Sequence, residues 1–233
     1  MKKNKLFFFL ICLLCLSLFY SGCSSGVKKT SQTELSQLRE EYSYVSMTPP
    51  DSALLEGNFD PIPSMKNYAA MQATAMAVVE ITGNYTTKIS NISPFEEEDP
   101  EMLIPSSRIV FLPVKVLDVV AGEDPAVTVN ADLLLHLGNA EFINNEFWKA
   151  MQPGRRYIVS LIPSIGRLSQ QYSAENVFTS VQYATMYLTE DDIVLPFEEG
   201  GALDAEYGGC KLEDFKPEME YWFDEWAKLN EQR

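Results

Sequence analysis

The stretch RIVFLPVKVLDVV, residues 108–120, is the clearest β-strand in the sequence and decides the fold class. Its apolar residues alternate along one face as far as Val116, and a period of two is typical of a half-buried strand. The pattern shifts by one residue at Leu117 and continues at Val119. A β-bulge produces such a shift and bends the strand. Because Pro113 has no N–H to donate, we expect its nitrogen to face an edge or a distortion of the sheet.

Further strand-like segments lie on both sides of this stretch. They are rich in apolar and β-favouring residues and are separated by polar loops. These segments are Ala75–Thr82, Ala126–Asn130, Leu133–Leu137, Arg156–Ile162, Val177–Leu188 and Ile193–Phe197. A helix is predicted between the third and fourth strands of the domain, at 140–151, with a cap at Asn139 and with Ile143, Phe147 and Met151 on its inner face.

The C-terminal segment is predicted to form an amphipathic helix that begins at a cap on Asp214. Its large apolar side chains recur at helical spacing and form one stripe. They are Phe215, Met219, Trp222, Phe223, Trp226 and Leu229. A stripe of this size in water would promote aggregation, so we expect it to cover the outer face of the domain. The alternative is that it binds a second protein.

The order of these elements predicts a mainly-β domain of the α+β class. It resembles an OB-like Greek-key barrel with one inserted helix and a C-terminal amphipathic helix, since that fold places a helix between its third and fourth strands. The segments LPVKVL at 112–117 and GRRYIV at 154–159 also look similar to parts of uncharacterised secreted Gram-positive lipoproteins with such barrels. A β-sandwich is the alternative architecture.

The first residues carry an export signal. Three lysines, Lys2, Lys3 and Lys5, precede the apolar run Leu6–Tyr20, which is 15 residues long. A helix needs about 20 apolar residues to cross the hydrocarbon core of a membrane. The run is therefore predicted to be the core of a signal peptide.

The segment FYSGC, residues 19–23, resembles the lipobox of bacterial lipoproteins. In that family a signal peptidase cuts directly before the cysteine, here between Gly22 and Cys23, and the thiol is joined to diacylglycerol. Tyr20 stands where the family usually has an aliphatic residue. The resemblance implies a lipid on Cys23 that anchors the chain in the cell membrane, with the domain on the extracytoplasmic face. The alternative is an ordinary signal peptide in which Cys23 has no role.

Three regions follow from these features: a signal peptide at 1–22, a tether or linker with one short helix at 23–64, and a single globular β-rich domain at 65–233. The short helix is predicted from Ser31 and Glu34, which have the spacing of a capping box. Prolines at 49–50, 61 and 63 oppose regular structure after it.

The charge argues against nucleic acid as a partner. Removing residues 1–22 takes away three lysines and no acidic residue, so the net charge of −15 becomes −18. Such a charge disfavours phosphate backbones and anionic lipid headgroups. We therefore expect the domain to be held off the membrane electrostatically, although the lipid anchors it there.

Candidate catalytic and metal-binding residues are few. Cys210 is the only cysteine after Cys23, and it could pair only with the single histidine, His136. His136 lies within an apolar strand, which favours a structural role. One histidine and one free thiol are too few for a zinc site, so no metal and no cofactor are predicted. The acidic segments, such as Glu96–Glu101, leave calcium open because they offer oxygen ligands without EF-hand spacing.

The sequence thus predicts a membrane-anchored extracytoplasmic lipoprotein that acts as a binding or interaction module for an unidentified protein or small-molecule ligand. An extracytoplasmic hydrolase that uses carboxylates is the alternative. An enzyme of that kind should bring two or more carboxylates together in a concave site, whereas a binding module should present an open barrel face. Enzymatic activity and oligomeric state are left open.

Overall fold

The computed structural model describes residues 27–42, 73–90, 107–139, 150–164, 176–180, 184–197 and 200–231. These ranges contain nine strands: β1 Ala75–Ile81, β2 Thr86–Ser90, β3 Ser107–Gly122, β4 Asp132–Asn139, β5 Arg156–Pro163, β6 Val177–Ser180, β7 Met186–Leu188, β8 Ile193–Pro196 and β9 Cys210–Lys211. The same ranges contain three helices: α1 Gln32–Glu41, α2 Ala202–Tyr207 and α3 Leu212–Glu231.

Five of the strands close into a barrel. β1 pairs antiparallel with both β3 and β5, and β3 pairs antiparallel with β4. β4 then pairs in parallel with β6, and β6 pairs antiparallel with β5, which completes the ring. The prediction of a mainly-β barrel of the α+β class is confirmed. The β-sandwich alternative is wrong, because the sheet closes on itself through the β1–β5 pairing.

The predicted bulge in β3 is present at Leu117. Val78 of β1 lies opposite Asp118, and the next residue, Val79, lies opposite Val116, so Leu117 has no partner on β1. The extra residue shifts by one position the alternation of side chains between the two faces of the strand. Pro113 lies where the partner of β3 changes from β1 to β2, which is the kind of distortion in the sheet that we expected. Its carbonyl accepts a hydrogen bond from Thr82 N at 3.1 Å.

Two apolar clusters lie on opposite sides of the barrel wall. Alternate side chains of β1 face the interior, namely Ala75, Ala77, Val79 and Ile81. The side chains between them, Met76 and Val78, face outward into a second cluster under α3. Because both faces of β1 are covered, its sequence is almost continuously apolar and does not alternate between apolar and polar residues.

α3 covers the outer face of the barrel, as predicted. Phe215, Met219 and Phe223 are 0%, 2% and 8% exposed and pack into the outer cluster, with Trp222 and Trp226 half-buried at its margin. Leu229 is 49% exposed, so the buried stripe ends before the last turn of the helix. The prediction of a cap at Asp214 is wrong. The helix begins at Leu212 because β9 leads directly into it, and Asp214 lies in its first turn.

The segment 27–42 packs on the domain rather than trailing from it. Ser31 caps α1 by accepting a hydrogen bond from Glu34 N, as the sequence predicted. Leu35 and Tyr42 are 5% and 8% exposed and join the inner cluster. Arg39 of α1 binds both carboxylate oxygens of Asp204 on α2, at 2.7 and 2.6 Å. Part of the predicted linker therefore contributes to the core.

One predicted strand is not observed, and several other predicted features lie outside the described residues. Ala126–Asn130 forms turns rather than a strand, and Asn130 has a φ of 71°, a left-handed value that asparagine tolerates. Several predictions fall outside the described residues: the signal peptide, Gly22 and Cys23, the acidic loop Glu96–Glu101, and the helix at 140–151 except for its end. Met151 at that end is buried, at 4% exposed.

Candidate functional site

The structure does not bring His136 and Cys210 together. His136 lies on β4 and Cys210 on β9, and β6, β5, β7 and β8 stand between them in the order of the sheet. Cys210 is fully buried in the outer cluster. Burial raises the pKa of its thiol to about 12, although the nearby charge of Lys29 opposes the shift. The thiol therefore stays protonated at neutral pH, which is unfavourable for a nucleophile.

His136 lies instead on the outer surface of the barrel. Its neighbours in the strand, Leu135 and Leu137, face the inner cluster, so the alternation of the strand directs His136 outward. The side chain is half-buried. Burial lowers the pKa of the imidazole, so the ring is neutral at neutral pH and offers one donor and one acceptor.

Two hydroxyl groups extend a row of polar atoms from His136 across the neighbouring strands. Thr179 Oγ1 on β6 lies 3.4 Å from His136 Nδ1, and Ser164 Oγ, just after β5, lies 3.3 Å from Thr179 Oγ1. We call these three residues the polar row. Each hydroxyl has one donor and two acceptor lone pairs, so Thr179 and Ser164 can bind a further polar group in addition to these contacts.

Apolar and uncharged side chains surround the polar row. Phe111 on β3 lies opposite His136, with the two ring centroids 5.7 Å apart. Pro113 on β3 and Leu134 on β4 are paired next to them and are both half-buried. We call the polar row together with these three residues the β4 face. Phe111 itself is 1% exposed, so Pro113, Leu134 and His136 provide the accessible carbon of this face. A surface that mixes partly exposed carbon with polar atoms is suited to binding a ligand.

Three carboxylates in the described part of the chain form ion pairs with cations from other parts of the fold, and a fourth, Glu225, pairs with Lys228 within α3. Asp204 is 6% exposed, binds Arg39, and also accepts from Gly200 N at 2.8 Å. Asp192 binds Arg156 at 2.8 Å, and Asp118 binds Lys216 at 2.9 Å. Each of these three pairs ties two parts of the fold together, so these three carboxylates act in the structure as links between them.

Within the described ranges, no three His, Cys, Asp or Glu side chains lie close enough to hold a metal ion. None of the helices that the structure describes is long and apolar enough to span a membrane.

The polar row was only partly visible in the sequence. His136 stood out as the single histidine, but Thr179 and Ser164 are two hydroxyl residues among many, and the parallel pairing of β4 with β6 is what brings Thr179 beside His136. Likewise, no local pattern singled out Arg39 and Asp204, which are 165 residues apart. Cys23, the predicted lipidation site, lies outside the described residues. No protein-family model and no curated protein matches this chain.

Proposed function

We propose that this chain is a lipoprotein held at the extracytoplasmic face of the cell membrane by a lipid on Cys23, and that its barrel is an OB-like binding module. The barrel would present the β4 face to its ligand. The order of the strands in the barrel is the observation that supports the second part of this proposal, namely that the barrel is an OB-like binding module.

The ring order supports an OB-like topology. Along the chain the barrel strands are β1, β3, β4, β5 and β6, and around the ring β1 contacts the second and fourth of them. The third and fifth, β4 and β6, are parallel neighbours. A five-stranded Greek-key barrel has this arrangement, and OB folds are five-stranded Greek-key barrels.

The same topology points to the β4 face as the ligand surface. OB folds bind ligands on the face of their second and third strands, beside the loops that join strands one to two and four to five. The second and third barrel strands here are β3 and β4, which carry Phe111, Pro113, Leu134 and His136. Much of the two joining segments, namely residues 91–106 and 165–175, lies outside the described residues.

The charge of the chain narrows the class of ligand. A net charge of −15 for the whole sequence repels polyanions, and the accessible part of the β4 face carries a neutral imidazole, two hydroxyls and the half-buried side chains of Pro113 and Leu134. An uncharged polar ligand or a segment of another protein matches this chemistry, whereas a nucleic acid does not.

The anchor is tested by metabolic labelling with palmitate in the native host. The wild-type chain should incorporate label and stay in the membrane fraction, and Cys23→Ser should lose both. Cys210→Ala is the matched control and should retain both, since its thiol is buried. Label that still enters the Cys23→Ser protein would contradict the anchor.

The binding surface is tested by photo-crosslinking in the same host. A photo-reactive phenylalanine analogue at Leu134 should form adducts with the ligand, and the same analogue at Val129, which is 54% exposed off this face, should not. A His136→Ala change should reduce the adducts at Leu134. Equal adducts at both positions, or none at Leu134, would reject the β4 face as the binding surface.

A further inference from the structure

The predicted anchor lies very close in sequence to the part of the chain that is fixed on the domain. The structure describes the chain from Val27 onward, and only four peptide units separate Cys23 from Val27. A chain spans at most about 3.5 Å per residue in any conformation, so this connection reaches at most about 14 Å. A lipid on Cys23 would therefore hold Val27 within that distance of the membrane surface.

The segment that begins at Val27 is held firmly against β9 and α2. Lys29 bridges to Cys210, and Thr30 N donates to Gly209 O at 2.7 Å. Lys29 Nζ donates to Ala205 O at 2.5 Å, and Val27 packs against the outer cluster. These contacts leave little freedom for the domain to swing away from its anchor.

The surface around this attachment carries charged residues of both signs. Lys28, Lys29 and Lys211 are exposed there, together with Ala205 on α2. We call these four residues the anchor face. Acidic residues lie beside them: the main-chain carbonyl of Asp191 accepts from Lys211 Nζ at 2.6 Å, and Asp214 is close enough for its charge to raise the pKa of the Cys210 thiol.

We propose that the anchor face is the side of the domain that lies nearest to the bilayer, an orientation that depends on the lipid anchor proposed above. The short connection sets the distance. The contacts of Lys29 and Thr30 with β9, α2 and the turn between them fix which side of the domain lies at the attachment. The net negative charge keeps the rest of the domain away from anionic headgroups, with a range of one Debye length, about 8–10 Å.

This orientation leaves the β4 face open. In the ring β1, β3, β4, β6, β5, strand β4 lies across the barrel from the contact between β1 and β5, and β7, β8 and β9 extend from β5. Four strands of the sheet, β6, β5, β7 and β8, separate β4 from β9, so the anchor face and the β4 face do not overlap.

The test uses the lipidated full-length mature chain in vesicles that contain anionic lipids and nitroxide-labelled headgroups. Cys23 is blocked by the lipid and Cys210 is buried, so an introduced cysteine can be labelled selectively with a fluorophore. We compare Ala205→Cys on the anchor face with Val129→Cys, a similarly small, uncharged and exposed position. The Ala205 label should be quenched several-fold more strongly than the Val129 label.

A second variant tests the role of the short connection. Inserting about 20 Gly/Ser residues after Ser25 lengthens the reach several-fold and should abolish most of the quenching at Ala205. Equal quenching at the two labels, or quenching at Ala205 that survives the insertion, would overturn the orientation while leaving the lipoprotein proposal intact. A failure of palmitate to enter the wild-type chain would instead remove the anchor, and the orientation with it.

Discussion

Single glycines determine how closely the elements of this domain approach one another. Gly122, at the end of β3, has a φ of +75°, a left-handed value that side chains rarely adopt. A Cβ at this position would lie 2.4 Å from Thr74 O and 2.6 Å from Phe223 Cδ1. Gly154 has nearly the same φ, +78°, but a Cβ there would meet no atom within 4 Å. Substitutions at the two positions therefore distinguish the cost of backbone strain from the cost of steric conflict.

Gly154→Ala should lower the free energy of unfolding by about 1–2 kcal/mol, the cost of a left-handed non-glycine residue. Gly122→Ala should cost about 1–3 kcal/mol more, since the new methyl group also displaces the ring of Phe223 from its place in the core. Urea denaturation followed by circular dichroism measures both values. Equal losses would show that the approach of α3 to β3 tolerates a side chain at this position.

The buried thiol of Cys210 gives stability a dependence on alkaline pH. Its folded pKa of about 12 lies above the unfolded value of about 8.5, so the protonated thiol stabilises the fold fully below pH 8.5. That contribution is lost as the pH rises from there toward 12, at up to about 1.4 kcal/mol per pH unit.

The Cys210→Ala variant should therefore lose stability less steeply than the wild type between pH 8.5 and pH 11. Chemical denaturation at a series of pH values in that range measures both slopes. Parallel curves for the two proteins would mean that the thiol does not titrate with folding.

At the level of elements, the apolar stripe of α3 contains buried residues, which stabilise the fold, and exposed residues, which contribute little. Phe215 is fully buried and packs edge to face on Tyr207 of α2, with ring centroids 5.0 Å apart. Trp222 is half-buried, and Leu229 is 49% exposed on the same stripe. Burial thus declines along the helix, and the energetic cost of truncation should follow it.

Phe215→Ala should destabilise the domain by about 3–5 kcal/mol, as is typical for removal of a buried aromatic ring. Trp222→Ala should cost less, and Leu229→Ala should stay within about 0.5 kcal/mol of the wild type. Thermal melting of the soluble chain that begins after Cys23 ranks the three. If the melting temperature were unchanged in all three variants, α3 would be an interaction surface rather than part of the fold.

At the level of the whole molecule, the N-terminal segment and the C-terminal elements stabilise each other. Leu35 of α1 and Tyr42, the residue just after it, pack into the inner cluster, and the ring centroid of Tyr42 lies 5.2 Å from that of Tyr187. Arg39 also neutralises the buried carboxylate of Asp204. Removing α1 would expose apolar surface and leave that carboxylate without its cation, and both effects are unfavourable.

A chain that begins at residue 65 should therefore melt at least about 6 °C below a chain that begins at residue 24. Loss of two buried side chains costs about 3 kcal/mol or more, and each kcal/mol shifts the midpoint by about 2–4 °C at this size. Differential scanning calorimetry compares the two chains. Identical midpoints would show that residues 27–42 are only a tether.

Several features of this protein depend on neighbours in sequence, and the sequence by itself determined them. The bulge at Leu117 follows from a break in a period-two pattern, and the cap at Ser31 follows from a spacing of three residues. The stripe on α3 follows from a period of 3.6. The composition of Ala126–Asn130 favours β-structure and so predicts a strand, but the segment connects β3 to β4 and forms turns.

Other features were decided only by the tertiary structure. The parallel pairing of β4 with β6 brings His136 beside Thr179 across 43 residues, and the docking of α1 brings Arg39 to Asp204 across 165. Local periodicity shows which face of a strand is buried but not which strand lies beside it. Barrel closure and burial of shared apolar surface selected these partners, and with them the polar row and the anchor face.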